Sequence, residues 1–148
     1  MDENRILGER LADAWINLSS AVCNRRVVSS MTFNEICVCN LLIRQKENDP
    51  SVRLTATDLC DKTRLFKSQM NKVLNSMEKN ELIKRVRSEQ DKRFVYIELT
   101  EKGVEEYYNE HEDIMSMVGK LISAIGTERV AGTIDAVNDI SEELRKLI

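Results

Sequence analysis

Residues 54–103, LTATDLCDKTRLFKSQMNKVLNSMEKNELIKRVRSEQDKRFVYIELTEKG, hold the pattern around which the rest of the chain is arranged. Thr55-Ala56-Thr57-Asp58 opens a short helix, with a hydroxyl to cap it and an acid at its third helical position. Leu59 and Cys60 point inward, and Thr63-Arg64 reads as a turn. A second helix follows from Phe66 to Lys79, with Met70, Val73, Leu74 and Met77 on one face. The opposite face carries Lys67, Ser68, Gln69, Asn71, Lys72 and Asn75. Amide side chains pair with adenine edges, and lysine reaches guanine or phosphate. Two helices joined by a tight turn, the second polar and basic outside, form a helix-turn-helix pattern. Leu82–Arg87 and Phe94–Leu99 then alternate like two strands around the polar tip Ser88–Arg93, which makes a hairpin. A hairpin in that position is the wing of a winged helix. Arginine on such a tip suits a narrow minor groove, and Asp91 stands two residues from Arg93, where it can hold the guanidinium.

Charge is distributed to match. Residues 61–93 carry ten Lys and Arg against five Asp and Glu, a net +5 inside a chain of net charge −3, so the remainder sums to −8. A basic island on an acidic body fits a polyanion contacted locally, although a solvated charged face gives the same count.

Outside this stretch the chain reads as long amphipathic helix. From about residue 4 to residue 24, Leu7, Leu11, Trp15, Leu18 and Val22 recur at helical spacing, with Ile6 and Ala14 beside them. Thr32-Phe33-Asn34-Glu35 is a capping box opening a helix whose stripe is Ile36, Cys39, Leu42 and Ile43. Gln45–Ser51, with the only proline, Pro50, reads as a loop, and Val52-Arg53-Leu54 as a short strand able to join the hairpin. Thr100 caps a helix running to about Ile125, Gly126 stops it, and Thr127 caps the last helix, in which Val130, Ile134, Val137, Leu144 and Ile148 approach heptad spacing. The terminal helices carry more apolar surface than a small winged lobe can bury. Pairing of two copies through helices about 4–24 and 104–148 is the economical solution, shared with packing inside the chain.

These elements define a mainly α fold with a small β-hairpin wing (α+β). It is a single domain over residues 1–148, with a winged helix-turn-helix lobe at about 32–103 and dimerisation helices at both ends. No apolar run approaches the roughly 20 residues of a membrane span, and the charged start MDENRILGER does not read as a signal peptide, so the expected location is cytoplasmic. Four cysteines (Cys23, Cys37, Cys39 and Cys60) and one histidine, His111, give no metal-ligand constellation and no cofactor site. Reduced, packed thiols are the simple reading of the cysteines, with Cys23 as the candidate redox residue. No nucleophile stands beside a base and no phosphate loop occurs, so the chain does not read as an enzyme.

Taken together, the chain resembles the MarR (multiple antibiotic resistance regulator) family of winged helix-turn-helix transcription factors over nearly its whole length. The resemblance rests on Leu54-Thr55, Lys67-Ser68, Arg87 with Asp91-Lys92-Arg93, and Leu99-Thr100-Glu101-Lys102-Gly103. Two positions depart from the family pattern. Glu81, preceded by Asn80, stands where a turn glycine is common, and Asn80 is expected to take the left-handed conformation. Phe66 stands where a small polar cap is usual. The resemblance implies a homodimeric repressor of a pseudo-palindromic operator in double-stranded DNA, released by a small-molecule effector or by oxidation, here at Cys23. It implies DNA contacts from Lys67, Ser68, Gln69, Asn71, Lys72 and Asn75 on the recognition helix. In the wing the same role falls to Arg87, Ser88, Gln90, Asp91, Lys92 and Arg93. In the family, effectors bind between the dimerisation helices and the reading lobe. Trp15, Met31, Tyr107 and Tyr108 suit such a crevice or ordinary core packing equally. Zinc-sensing relatives use several histidines, where this chain has one. A winged-helix module binding protein instead of DNA is the reading from another class, and the polar face of residues 67–75 argues against it.

Overall fold

The structure, a computed structural model, describes residues 2–24 and 30–148, the side chains of residues 23 and 24 excepted. Among the described residues, six helices and one hairpin run in the order α1 (Glu3–Asn24), α2 (Phe33–Asn48), α3 (Ala56–Thr63), α4 (Lys67–Lys79), β1 (Ile83–Arg87), β2 (Val95–Leu99), α5 (Glu101–Ile125) and α6 (Thr127–Leu147). The chain divides into two compact units, residues 1–110 and 111–148.

Local chemistry starts the helices of the first unit. Thr32 Oγ1 accepts from Glu35 N at 3.3 Å while the Glu35 carboxylate accepts from Thr32 N at 2.8 Å. Thr55 and Asp58 repeat the arrangement at 3.2 and 2.7 Å. Each box satisfies two of the orphan N–H groups that a helix start exposes. Arg64 ends α3 in a left-handed conformation, φ 61°, its N–H donating to the Cys60 carbonyl.

The core joins α2, α3, α4 and the hairpin. Val38, Cys39, Leu59, Met70, Leu74 and Met77 are completely enclosed, with Leu54, Leu82, Ile83 and Ile97 around them. Glu35 is buried too. Its second oxygen accepts from Ser76 Oγ at 3.0 Å, so one carboxylate both caps α2 and ties it to α4. β1 and β2 pair antiparallel from Ile83↔Leu99 to Arg87↔Val95. Ile97 N donates to the Leu54 carbonyl at 2.8 Å and Thr55 bridges Tyr96, so the short strand expected over Val52-Arg53-Leu54 reduces to an isolated bridge beside a two-stranded sheet.

Several boundaries differ from expectation. α2 continues through Gln45–Asn48 to a cap at Asp49, because a polar run also describes an exposed last helical turn. Val38, unassigned from the sequence, belongs to the core. Glu81, not Asn80, takes the left-handed conformation, at φ 60° against −87° for Asn80. The cause is the neighbouring Leu82, which is buried and whose carbonyl accepts from Thr100 N at 3.0 Å. The reversal must therefore be complete one residue before Leu82. Gly126, φ 98°, is the residue capping α6, and Thr127 is the first helical residue.

Thr100 caps α5 as expected, accepting from Gly103 N at 3.0 Å while its hydroxyl donates to the Glu81 carbonyl at 2.6 Å. Gly103 lies so close to this turn that a Cβ there would stand 2.0 Å from the Leu82 oxygen. The glycine closing the Leu99–Gly103 signature is thus a steric requirement. Ser30 donates to the buried Glu110 carboxylate from both its N–H (2.8 Å) and its hydroxyl (2.6 Å). Along α1, Ile6, Leu7, Leu11, Trp15, Ile16, Leu18 and Val22 are exposed in the single chain. In the second unit, Met115, Met117, Leu121, Ile125, Ile134, Val137 and Leu144 are exposed as well. Among the described residues no helix is long and apolar enough to cross a membrane.

Candidate nucleic-acid interface

Helix α4 is held by Met70, Leu74 and Met77, which leaves Lys67, Ser68, Gln69, Asn71, Lys72 and Asn75 all exposed. Spacings of three and four place Ser68, Asn71, Lys72 and Asn75 on one outward stripe. The three amides are not equivalent. Gln69 Oε1 accepts from Phe66 N at 3.1 Å, the return half of a capping box whose forward half Phe66 has no side-chain acceptor to make. Asn75 Oδ1 accepts from Arg85 Nη2 at 3.0 Å, and the same guanidinium pairs with Glu78. Asn71 alone of the three makes no hydrogen bond through its side chain among the described residues. It is therefore the amide free to offer donor and acceptor together, as a bidentate adenine contact needs.

The Arg85 connection has no counterpart in the sequence pattern. It fastens the strand leading to the wing onto the last turns of α4, across sequence separations of 7 and 10 that no local pattern signals.

At the wing tip, Ser88 N donates to the Phe94 carbonyl at 2.9 Å and Phe94 N to the Asp91 carbonyl at 3.0 Å. Ser88 Oγ accepts from Asp91 N at 3.2 Å, and Ser88 is buried, so this candidate shapes the tip from inside. Asp91 grips Arg93 as anticipated. The guanidinium donates through Nη2 at 2.8 Å and Nε at 3.0 Å, and Arg93 N donates to the same carboxylate at 3.1 Å. These bonds hold the Asp91 carboxyl below its ordinary range and push the Arg93 guanidinium up. With 87% of its side chain exposed, Arg93 is a cation standing in solvent on a fixed base. Arg87, Gln90 and Lys92 are exposed beside it.

Lys62, Arg64, Lys67, Lys72, Arg87 and Lys92 make no ion pair among the described residues, whereas Arg53 and Lys84 share Glu98 at 2.6 and 3.5 Å. The unpaired cations flank α4 and the wing tip. Unneutralised charge beside an outward amide is the arrangement that binds a phosphate backbone while presenting hydrogen-bonding groups to bases.

The family accords with this geometry. The profile described as "Transcriptional regulator SarA/Rot" matches residues 26–109. The chain belongs to the SarA/Rot family of transcriptional regulators. This is a winged-helix, DNA-binding family related to MarR, so the resemblance read from the sequence stands. Solved structures share the fold. A MarR family protein from Bacillus stearothermophilus is 20% identical at TM-score 0.70, covering 98% of this chain and 99% of its own. FabT from Streptococcus pneumoniae, solved in complex with DNA, is 23% identical at TM-score 0.70, with 99% and 100% covered. The PcaV transcriptional regulator from Streptomyces coelicolor, solved with its natural ligand, is 20% identical at TM-score 0.65, with 92% and 89% covered. No curated protein matches the chain significantly.

Of the aromatic and sulfur residues suited to an effector crevice, Met31 and Tyr107 are core residues of the SarA/Rot lobe. Trp15 and Tyr108 are exposed, and Tyr108 stacks edge-on against Tyr107 at 5.4 Å. A separate cavity of about 340 Å³ lies in the first unit, floored by Leu42, Leu54, Ile97 and Leu99, with Lys46 and Arg53 at its rim. The side chain of Cys23 lies outside the described residues. Burial pushes the Cys37 thiol up, and Cys39 is pushed up to about 12 by burial and by the negative charges of Glu35 and Glu106.

Proposed function

We propose that this SarA/Rot protein is a cytoplasmic homodimeric repressor formed from one domain over residues 1–148. In this reading it binds a pseudo-palindromic operator in double-stranded DNA and is relieved by a small ligand. The observation that carries it is the pairing of two exposed basic features on one buried core: the outward stripe of α4 and the Arg93 guanidinium fixed by Asp91. The stripe enters the major groove, with Asn71 on a base edge and Lys67 and Lys72 at phosphate or guanine. Arg93 enters the adjacent minor groove, where a narrow groove concentrates negative potential.

The exposed apolar residues of α1 and of the second unit support dimerisation. A lone soluble chain rarely leaves contiguous apolar faces of this kind in water. Two-fold pairing then presents two α4 helices to half-sites about 34–36 Å apart. The 340 Å³ cavity is large enough for a small effector and supports ligand relief.

Salt titration of binding to DNA from upstream of its own gene tests the reading, together with sedimentation to count subunits. Counterion release gives a log–log slope of about −0.9 per phosphate neutralised. A flat salt response or a monomer bound to a single half-site refutes it.

A further inference from the structure

Phe66 is 76% exposed, and among the large apolar residues of the winged lobe it is the one most open to solvent. It occupies the N-cap of α4 at φ −66° and ψ 150° and makes no side-chain cap, while its own N–H donates to Gln69 Oε1. A cap position ordinarily favours Ser, Thr, Asp or Asn, each of which stabilises a helix over an apolar residue. Phenylalanine here thus forgoes a cap while staying mostly in solvent, and it stands between Arg64 and Lys67, cations without acid partners among the described residues. Helix stability does not account for an aromatic ring at this position.

The ring's location does account for it. The N-terminal residues of a recognition helix are the ones that approach base edges. Two features distinguish the major-groove edge of thymine: the O4 acceptor and the C5 methyl, and apolar side chains, phenylalanine included, read the methyl. We propose that Phe66 is a specificity-determining residue that packs on thymine methyl groups in each half-site. This inference rests on the reading of α4 as the DNA-reading helix and deepens it. The unpaired lysines would hold the helix on the phosphates, Asn71 would supply a hydrogen-bonding contact, and Phe66 a dry contact selecting T over C one step nearer the N-terminus.

The test uses the full-length protein and a duplex operator obtained by selection from random sequence. Each thymine is replaced in turn by deoxyuridine, which removes the methyl and keeps Watson–Crick pairing. Burial of one methyl corresponds to about fourfold in affinity, so two symmetric substitutions should cost wild type roughly tenfold to twentyfold. Phe66→Ala should bind the thymine operator more weakly by at least that factor and be indifferent to deoxyuridine at the same positions. Because the ring is exposed, the variant should keep the wild-type melting temperature and subunit count, and both are measured alongside. Wild type insensitive to deoxyuridine everywhere overturns the proposal. So does Phe66→Ala retaining the full deoxyuridine penalty, which would place the methyl contact on another residue. Altered subunit assembly in Phe66→Ala also overturns it, by assigning the ring to a protein interface. If selection enriches no sequence at all, the reading of α4 fails first, and the two failures are thereby told apart.

Discussion

Replacing Gly103 with alanine should damage this protein, although alanine is the better helix former by about 1 kcal/mol. The added Cβ would lie 2.0 Å from the Leu82 carbonyl oxygen, 2.9 Å from its carbonyl carbon and 3.1 Å from the Leu99 side chain. Ordinary contact begins near 3.4 Å, so the first turn of α5 would have to retreat by more than an ångström. That retreat opens the bond from Thr100 N to the Leu82 carbonyl (3.0 Å) and the one from the Thr100 hydroxyl to the Glu81 carbonyl (2.6 Å). The bond from Lys102 Nζ to the Asn80 carbonyl (2.8 Å) is pulled in the same direction. Three bonds at about 1 kcal/mol each, with some loss of packing at Leu82 and Leu99, outweigh the propensity gain and leave a net loss of roughly 2–3 kcal/mol. For a chain of this size the melting temperature should fall by about 6–10 °C, read by thermal circular dichroism at one fixed concentration, since the transition of the proposed dimer would depend on it. Among the described residues nothing beyond the surrounding backbone of their own helices lies within 4 Å of a Cβ at Gly119 or Gly132, so Gly119→Ala and Gly132→Ala serve as matched helical controls. A Gly103→Ala protein that melts at or above wild type would refute the contact between α5 and the turn after α4.

Relieving the left-handed Glu81 with Glu81→Gly should stabilise the fold by about 1 kcal/mol in urea unfolding, and an unchanged or lower midpoint would mean that the residue carries no strain. Arg93→Ala should weaken operator binding by about 1–3 kcal/mol and reduce the salt slope by about one per half-site while sedimentation still finds the wild-type assembly; unaltered affinity would reduce Arg93 to a surface ion. On α4, Asn71→Ala should relax base preference at one position per half-site by about 1–3 kcal/mol. Asn75→Ala, whose carbonyl already serves Arg85, should cost less specificity, and the reverse ranking in a binding-site selection would contradict the assignment. Cys39 should resist thiol reagents at pH 8 in the native protein. Its folded pKa, raised to about 12, lies above the ordinary thiol value of 9.0, so its contribution to stability is complete below pH 9 and is lost as pH rises towards 12. Rapid native labelling of Cys39 would show that α2 opens far more readily than its burial implies.

Much of the lobe was legible because its decisive chemistry is local. A capping box is a relation between residues three apart, and Thr32 with Glu35 and Thr55 with Asp58 declare themselves in any window of four. The apolar stripe of α4 and the two runs of the hairpin are short periodic patterns of the same kind. Features set by packing against another element or by closure of the tip were not legible. The left-handed residue was expected at Asn80 on intrinsic preference, yet it falls at Glu81 because Leu82 must enter the core and meet Thr100. Ser88 looked like a polar residue on a tip, yet tip closure against Phe94 and Asp91 turns it inward. Arg85 looked like one more cation of a basic island, yet it is spent on Glu78 and Asn75.

That last case bears on how reading and shape are divided along the basic stretch. Residues 61–93 are counted as ten cations, but three of them, Lys84, Arg85 and Arg93, have carboxylate partners within the lobe. Arg85 is partly enclosed and joins wing to helix, so its charge is committed to geometry. Arg93 is paired yet almost wholly exposed, and its partner aims it without covering it. An exposed ion pair of this sort contributes little to folding, so stability gives no strong reason for an acid to stand beside it. Orientation does. A free arginine loses rotamer freedom when it enters a groove, whereas one already held through Nε and Nη2 has met part of that cost in the unbound protein and can still turn its remaining N–H donors outward. In the proposed complex Asp91 therefore serves binding through Arg93, and Arg85 through the placement of α4. The net charge that first marked the stretch overstates the cations free to meet a polyanion and conceals those that hold the others in position.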